Sequence, residues 1–325
     1  MKRSGYFFAA AMVGAIISCG AYAQTFPTKT VRIILPFPAG GPPDILNRAI
    51  AGKLSPAWGQ PVIIENRPGA NGNIGALAVA NAPPDGYTLL AIYSTFPANH
   101  LLFPKLDFDP IKDFAPVTTL AQFPSMIVVR SATGAKSLKE LQALAKATPG
   151  RLNYATIGLG SVQHLGMELF KNVAGVDIVH IPYKGLPDIM RSLAAGDTHI
   201  GFMGGGGGDF TATVTAGHIR ILAVAGNKRL ARYPEVPTFA EAGFPAMKGD
   251  NWWALVAPAR TPKPIIDRLN ADIVRAIHDP EVRLKQIEAR GYEAVGDTPE
   301  QLATRIRETL EVLGPVITGA NIRIE

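Results

Sequence analysis

The stretch Val31–Ile50, VRIILPFPAGGPPDILNRAI, decides the fold. Val31 to Leu35 are mostly β-branched or apolar and read as a buried strand. Pro36-Phe37-Pro38-Ala39-Gly40-Gly41-Pro42-Pro43 follows, a rigid turn that no helix absorbs. Beyond it Ile45, Leu46, Ala49, Ile50 and Leu54 recur at helical spacing. Proline is tolerated in a first helical turn, and Asp44 there suits the positive helix end. Strand, glycine turn and helix entrance in that order point free backbone N–H groups outward, which suits an anion.

Working outward, a near copy of this unit lies further along. Leu152 to Thr156 predicts a strand, Gly158-Leu159-Gly160 the turn, and Ser161 the N-cap of a helix from Val162 to Val173. Pro61–Glu65 and Tyr87–Tyr93 predict two more strands, separated by a short helix over Ile74–Asn81. Such alternation means an α/β chain built on doubly wound, mostly parallel sheets flanked by helices. Ligands of such sheets bind beyond the carboxyl ends of the strands. Ser94 and Thr95, just past Tyr93, fall on the same edge as Gly40 and Gly41.

Val117–Leu120 and Met126–Arg130 predict the crossing into a second lobe, and Trp252–Val256 a strand returning to the first. The expected division is residues 24–124 plus about 252–325 for the first lobe and 125–251 for the second. Within the second, Ile200–Met203 predicts a strand that runs into five glycines, Gly204 to Gly208, and then Asp209. Long amphipathic helices are expected over Pro264–His278 and Pro280–Arg290, and a last one from Thr298-Pro299-Glu300, packing partly on the second lobe.

Lys2 and Arg3, the apolar run from Tyr6 to about Cys19, and Ala21-Tyr22-Ala23 have the layout of a cleaved secretory signal peptide over residues 1–23, with Gln24 as the mature start. The run is shorter than the roughly 20 residues a membrane span needs. A lipoprotein acylated at Cys19 is the lesser alternative. Export places the mature protein in the periplasm. Cys19 is the only cysteine, so no disulfide is available, and a 47% hydrophobic chain of this length must rely on its own cores. Without Lys2 and Arg3 there remain 30 basic and 26 acidic residues. That mild excess fits attraction of small anions, and the absence of basic runs argues against nucleic acid.

The six histidines have no metal-ligand spacing, and no P-loop or GxGxxG is present, so no metal and no cofactor are expected. Ser161 with His164 could form a nucleophile and base, the basis of an alternative reading as a periplasmic serine hydrolase. GLGSV is not a nucleophile elbow, however, and a capping serine explains it as well. Two facing strand–glycine–helix units make a clamp for a small anion, gripped by backbone amides and dried by closure.

Along nearly the whole chain after residue 23, the motifs PFPAGGPPD (36–44), ENRPGANGNIGA (65–76), PDGYTLL (84–90), NYATIGLGSVQHL (153–165), HIPYKG (180–185), EVPTFAEAG (235–243) and WWALVAPARTP (252–262) run in the order of one family. The sequence resembles the Bug, or TctC-like, periplasmic receptors of tripartite tricarboxylate transporters. That resemblance implies a two-lobe Venus-flytrap fold, a small carboxylate ligand, and membrane transporter subunits as partners of a monomeric receptor. By position it implies ligand contacts from Phe37, Pro38, Ala39, Gly40, Gly41 and Pro42 in one lobe, with Ser94 and Thr95. In the other lobe it implies Thr156, Gly158, Gly160, Ser161 and His164. The run Gly204 to Gly208 departs from the family pattern where ligand choice is set, with Gly204 and Gly205 as expected contacts, and Asp209 is a candidate for reading an amino or hydroxyl group on the ligand. A receptor that signals to a sensor kinase has the same sequence signature.

Overall fold

The computed structural model describes residues 26–204, 209–247 and 250–324. The signal segment 1–23 with Cys19, and Gly205 to Gly208, lie outside these residues.

The first sheet is built from local hydrophobic runs that the opening stretch begins. β1 (Val31–Leu35) is followed by α1 (Pro42–Trp58), β2 (Val62–Asn66), α2 (Asn73–Ala80), β3 (Thr88–Tyr93), a short α3 (Asn99–Leu102) and β4 (Phe114–Phe123). β1 lies between β2 and β3, parallel to both. Two residues on from β4 the chain enters the second sheet as β5 (Ser125–Arg130). There follow α4 (Leu138–Ala147), β6 (Asn153–Thr156), α5 (Val162–Ala174), β7 (Val179–Pro182), α6 (Leu186–Ala195), β8 (Ile200–Gly204), α7 (Asp209–Thr215) and β9 (Ile219–Val224). β10 (Asn251–Pro258) then returns to the first sheet, and α8 (Lys263–His278), α9 (Pro280–Val282), β11 (Glu293–Ala294) and α10 (Pro299–Gly319) complete the chain.

The strand orders are β11-β4-β10-β3-β1-β2 and β7-β6-β8-β5-β9. Each sheet has a parallel half, made by helical crossovers, and an antiparallel half where the crossing strands insert. β10 runs antiparallel to both β3 and β4, and β5 antiparallel to β8 and β9. A strand arriving from the other lobe has no crossover helix to reverse it, so it enters pointing the opposite way. Each sheet has its own buried core, one around Ile33, Leu90 and Leu255, the other around Ile127, Tyr154 and Phe170.

Pro280–Arg290 is not the continuous α-helix that the sequence suggests. After α9 a π-helical turn spans Arg283–Ile287 and a 3-10 turn Glu288–Arg290. In an α-helix residues five apart point about 140° away from each other. The wider turn puts Val282 and Ile287, 1% and 0% exposed, on one buried side. α10 opens as expected at Thr298, whose hydroxyl accepts from Gln301 N while Gln301 caps back onto Thr298 N.

α10 and the chain after it span the gap between lobes. Ile317 and Ile322 join Ala98 and Leu102 from the first lobe and Leu165 of α5 in one apolar cluster.

Candidate functional site

The β–α turns of both parallel halves meet across the crossing strands. In the first lobe the loop after β1 wraps around Asp44, which is only 2% exposed. Its carboxylate accepts from Gly40 N at 2.9 Å, Arg48 Nε at 2.9 Å and Asn66 Nδ2 at 2.9 Å. Burial alone would raise the Asp44 pKa, but the bonds from Arg48, Gly40 and Asn66 outweigh it and hold the carboxyl below its ordinary value. Asn66 also donates to Phe37 O at 3.0 Å, and the Phe37 ring stands edge-on to Tyr93 with centroids 5.4 Å apart. Pro38, Ala39 and Gly40 form an exposed rim. Pro42 and Pro43 have no N–H, so Gly41 and Asp44 supply the remaining amides at this helix entrance.

The second-lobe turn is tied by its own side chains. Thr156 Oγ1 accepts from Gly158 N at 3.0 Å and lies 2.5 Å from His180 Nε2. Ser161 Oγ donates to Gly158 O at 2.7 Å and accepts from His164 N at 3.3 Å. Gly160 N donates to His164 Nδ1 at 3.2 Å. Ser161 and His164 are therefore each bonded to different backbone groups, and the pairing that the hydrolase alternative needs is absent from this geometry. The amides of Gly40, Gly158 and Gly160, expected to be free, each have a partner within their own loop. Rigid loops, rather than a row of open amides, are what the two units present.

Behind the turn lies a buried aromatic stack. The His164 and His180 rings are 4.6 Å apart and Tyr154 stands 5.1 Å from His180. Tyr154 donates to Glu168 at 2.6 Å, and Lys171 pairs with the same oxygen at 2.7 Å. Burial, helped by the neighbouring His180, pushes the His164 pKa down to about 4, and burial also lowers that of His180.

The lobes touch at Gly160. Its φ of +72° favours glycine, and a Cβ there would lie 2.8 Å from Asn71 Nδ2 and 2.9 Å from Leu102 Cδ1. Ser94 belongs to the hinge: its hydroxyl donates to Asn251 Oδ1 at 3.2 Å, and Asn251 Nδ2 donates to Ser125 Oγ at 2.6 Å. Thr95 is 3% exposed and its hydroxyl has no partner. Gly204 packs beside the hinge, where a Cβ would meet the Phe123 ring at 2.7 Å. Asp209 begins α7. A cavity of about 490 Å³ lies at the hinge between Thr95, Val162, Leu165, Phe202, Trp252 and Leu313. A larger one, about 620 Å³, lies away from the loops around Arg220 and Tyr233.

Residues 46–322 match the family model described as the tripartite tricarboxylate transporter family receptor. The chain belongs to this receptor family. BugT of Bordetella pertussis is 34% identical over 330 residues, covering 98% of this chain and 97% of that one. MatC of Rhodopseudomonas palustris, solved with malate, is 32% identical with a TM-score of 0.78 over 90% of this chain and all of that one. An R. palustris protein solved with adipate is 34% identical with a TM-score of 0.80, over 92% of this chain and all of that one. Receptors of this kind bind solutes in the periplasm, and the two-sheet α/β architecture is theirs.

Asn71, Tyr93, Asn99, His180 and Asn251 were not singled out by sequence reasoning. The signal for Asn71 was present: an Asn directly before a glycine, Asn71-Gly72, in a turn-rich motif marks a left-handed position.

Proposed function

We propose that this receptor captures a small carboxylate between its lobes, closes on it about the hinge strands, and delivers it to the membrane subunits of a tripartite tricarboxylate-type transporter. The contact of Gly160 with Asn71 and Leu102 carries the reading. It brings the glycine turn after β6 against the turn after β2 and against α3 of the first lobe, segments far apart in sequence, at one seam that hinge motion opens and closes. The similar proteins solved with malate and with adipate support a dicarboxylate as the ligand class.

The candidate contacts are Phe37 to Pro42, Thr95, Thr156, Gly158, Gly160, Ser161 and His164, with Gly204, Gly205 and Asp209 setting ligand choice and Ser94 acting through the hinge. With Gly40, Gly158 and Gly160 N–H groups engaged, the carboxylate is held by the remaining amides, by side-chain donors at the seam and by bridging water. Closure removes solvent and strengthens each of these bonds. The domain division is 24–124 with about 252–325, and 125–251, after an N-terminal export signal.

A thermal-shift and calorimetric screen of the mature chain against malate, adipate, citrate, glutamate and benzoate, with neutral sugars and polyamines as controls, tests the proposal. Stabilisation by one or more acids is expected. A melting temperature raised only by sugars or cations would overturn it.

A further inference from the structure

Asn71 has a backbone conformation that its side chain must justify. Its φ and ψ are 53° and 38°, after Ala70 at φ 45° and before Gly72 at φ 83°. This left-handed region is free of strain for glycine and costly for other residues, although Asn tolerates it better than most. The peptide is pinned all the same. Asn71 O accepts from Tyr93 OH at 2.7 Å and from Asn99 Nδ2 at 3.0 Å. Asn99 is itself fully buried and braced by Asn73 Oδ1 at 2.6 Å. A loop serving only as a connection has no need of such fixing.

From this pinned backbone the Asn71 side chain points its amide into the seam between lobes. Asn71 Nδ2 is shut off from solvent and has no partner, and it lies 2.8 Å from where a Cβ on Gly160 would be. The Thr95 hydroxyl, on the same sheet edge, and Gln163 Oε1, in the first turn of α5, are buried and unpartnered too. A buried donor without an acceptor is costly, and each one in a native structure calls for an explanation.

We infer that Asn71 is a ligand-reading residue whose side-chain NH2 donates to a carboxylate oxygen of the bound solute, and that this bond makes closure depend on occupancy. The inference rests on the carboxylate-receptor reading above. Closure over an empty cleft strands the Asn71 amide and the Thr95 hydroxyl, which lies on the same sheet edge. Closure over an oxyanion satisfies it with a charge-assisted bond. The closed state is thereby favoured only when loaded, which is the differential affinity that a ligand-driven conformational change requires.

Two variants test this by calorimetry with malate and adipate, alongside thermal melts. Asn71→Gly removes the donor and relaxes the backbone. It should melt at or above the wild-type temperature while the Kd for the bound acid rises about tenfold or more. Asn71→Asp keeps the size but replaces the donor with an oxygen, and it should bind more weakly still. Wild-type Kd values in Asn71→Gly would overturn the inference alone. Should that variant fail to fold, equal or tighter binding by Asn71→Asp would overturn it instead. A wild-type protein that binds no carboxylate would refute the receptor reading first and this inference with it.

Discussion

Replacing Gly160 with Ala separates the closed state from the rest of the protein. Two costs follow, and they fall on different measurements. The φ of +72° penalises any L-residue by ~1–2 kcal/mol whether the lobes are open or shut, because the Gly160 to His164 bond lies within one lobe. The added methyl would also sit 2.8 Å from Asn71 Nδ2, 2.9 Å from Leu102 Cδ1 and 2.9 Å from Ile324 Cδ1, all on the facing side. Leu102 is fully buried, and the backbone that carries the Asn71 side chain is pinned, so the facing side has little room to give. Overpacking of this kind costs ~1–3 kcal/mol, and only in the closed form. The prediction is a lower melting temperature together with a Kd for the bound acid raised roughly 5- to 150-fold. Small-angle scattering should show reduced ligand-induced compaction. Gly175→Ala, at φ +61° with nothing within 4 Å of its Cβ, is the control: it should lose stability but keep its affinity. If Gly160→Ala binds with unchanged Kd and compacts normally, the seam is not where the lobes close.

Further outcomes follow from other parts of the fold. Folding holds His164 near pKa 4 against 6.5 when unfolded, so the native state favours the neutral ring. That contributes up to ~3 kcal/mol, full above pH 6.5 and lost as pH falls toward 4. His164→Asn, which can still accept from Gly160 N, should flatten the acid limb of a urea-denaturation profile between pH 6.5 and 4; an unaltered limb would rule His164 out as its source. Asp272 is 4% exposed and binds Trp58 Nε1 at 2.7 Å, Arg268 Nε at 2.6 Å and Arg275 Nη1 at 3.1 Å, so Asp272→Ala should cost ~3 kcal/mol in urea unfolding without changing ligand affinity. A loss below 0.5 kcal/mol would show that the cluster does not fasten α1 to α8. Gly41 has ordinary φ and a Cβ there would meet only Pro38 O at 3.7 Å and Pro43 Cδ at 3.8 Å, ordinary contacts, so Gly41→Leu should fold normally yet bind the acid about tenfold more weakly by obstructing the first loop. Wild-type affinity in that variant would remove the loop from the site.

The strand–turn–helix units were legible because period, proline and glycine placement act over a few residues. Val31–Leu35 and Asn153–Thr156 became strands, and Gly41 and Ser161 became helix caps, for reasons contained in their own neighbourhoods. The segment after α8 was misread as one helix because its apolar spacing fits a helix of either pitch. Burial of both Val282 and Ile287 selected the wider turn. The amides of Gly40 and Gly160 are engaged by Asp44 and His164, each four residues on. Sequence supplies those partners but not the angle at which they meet the loop.

Sequence alone therefore determined the two glycine units, the α/β class and the family, since these depend on local pattern and motif order. Only the tertiary structure decided which residues face each other across the seam. Asn71 and Gly160 are far apart in the chain, and their meeting depends on two independently packed sheets held at one spacing by hinge strands and α10. No local rule carries that distance. It emerges when both cores are closed and the residues between them have nowhere else to point.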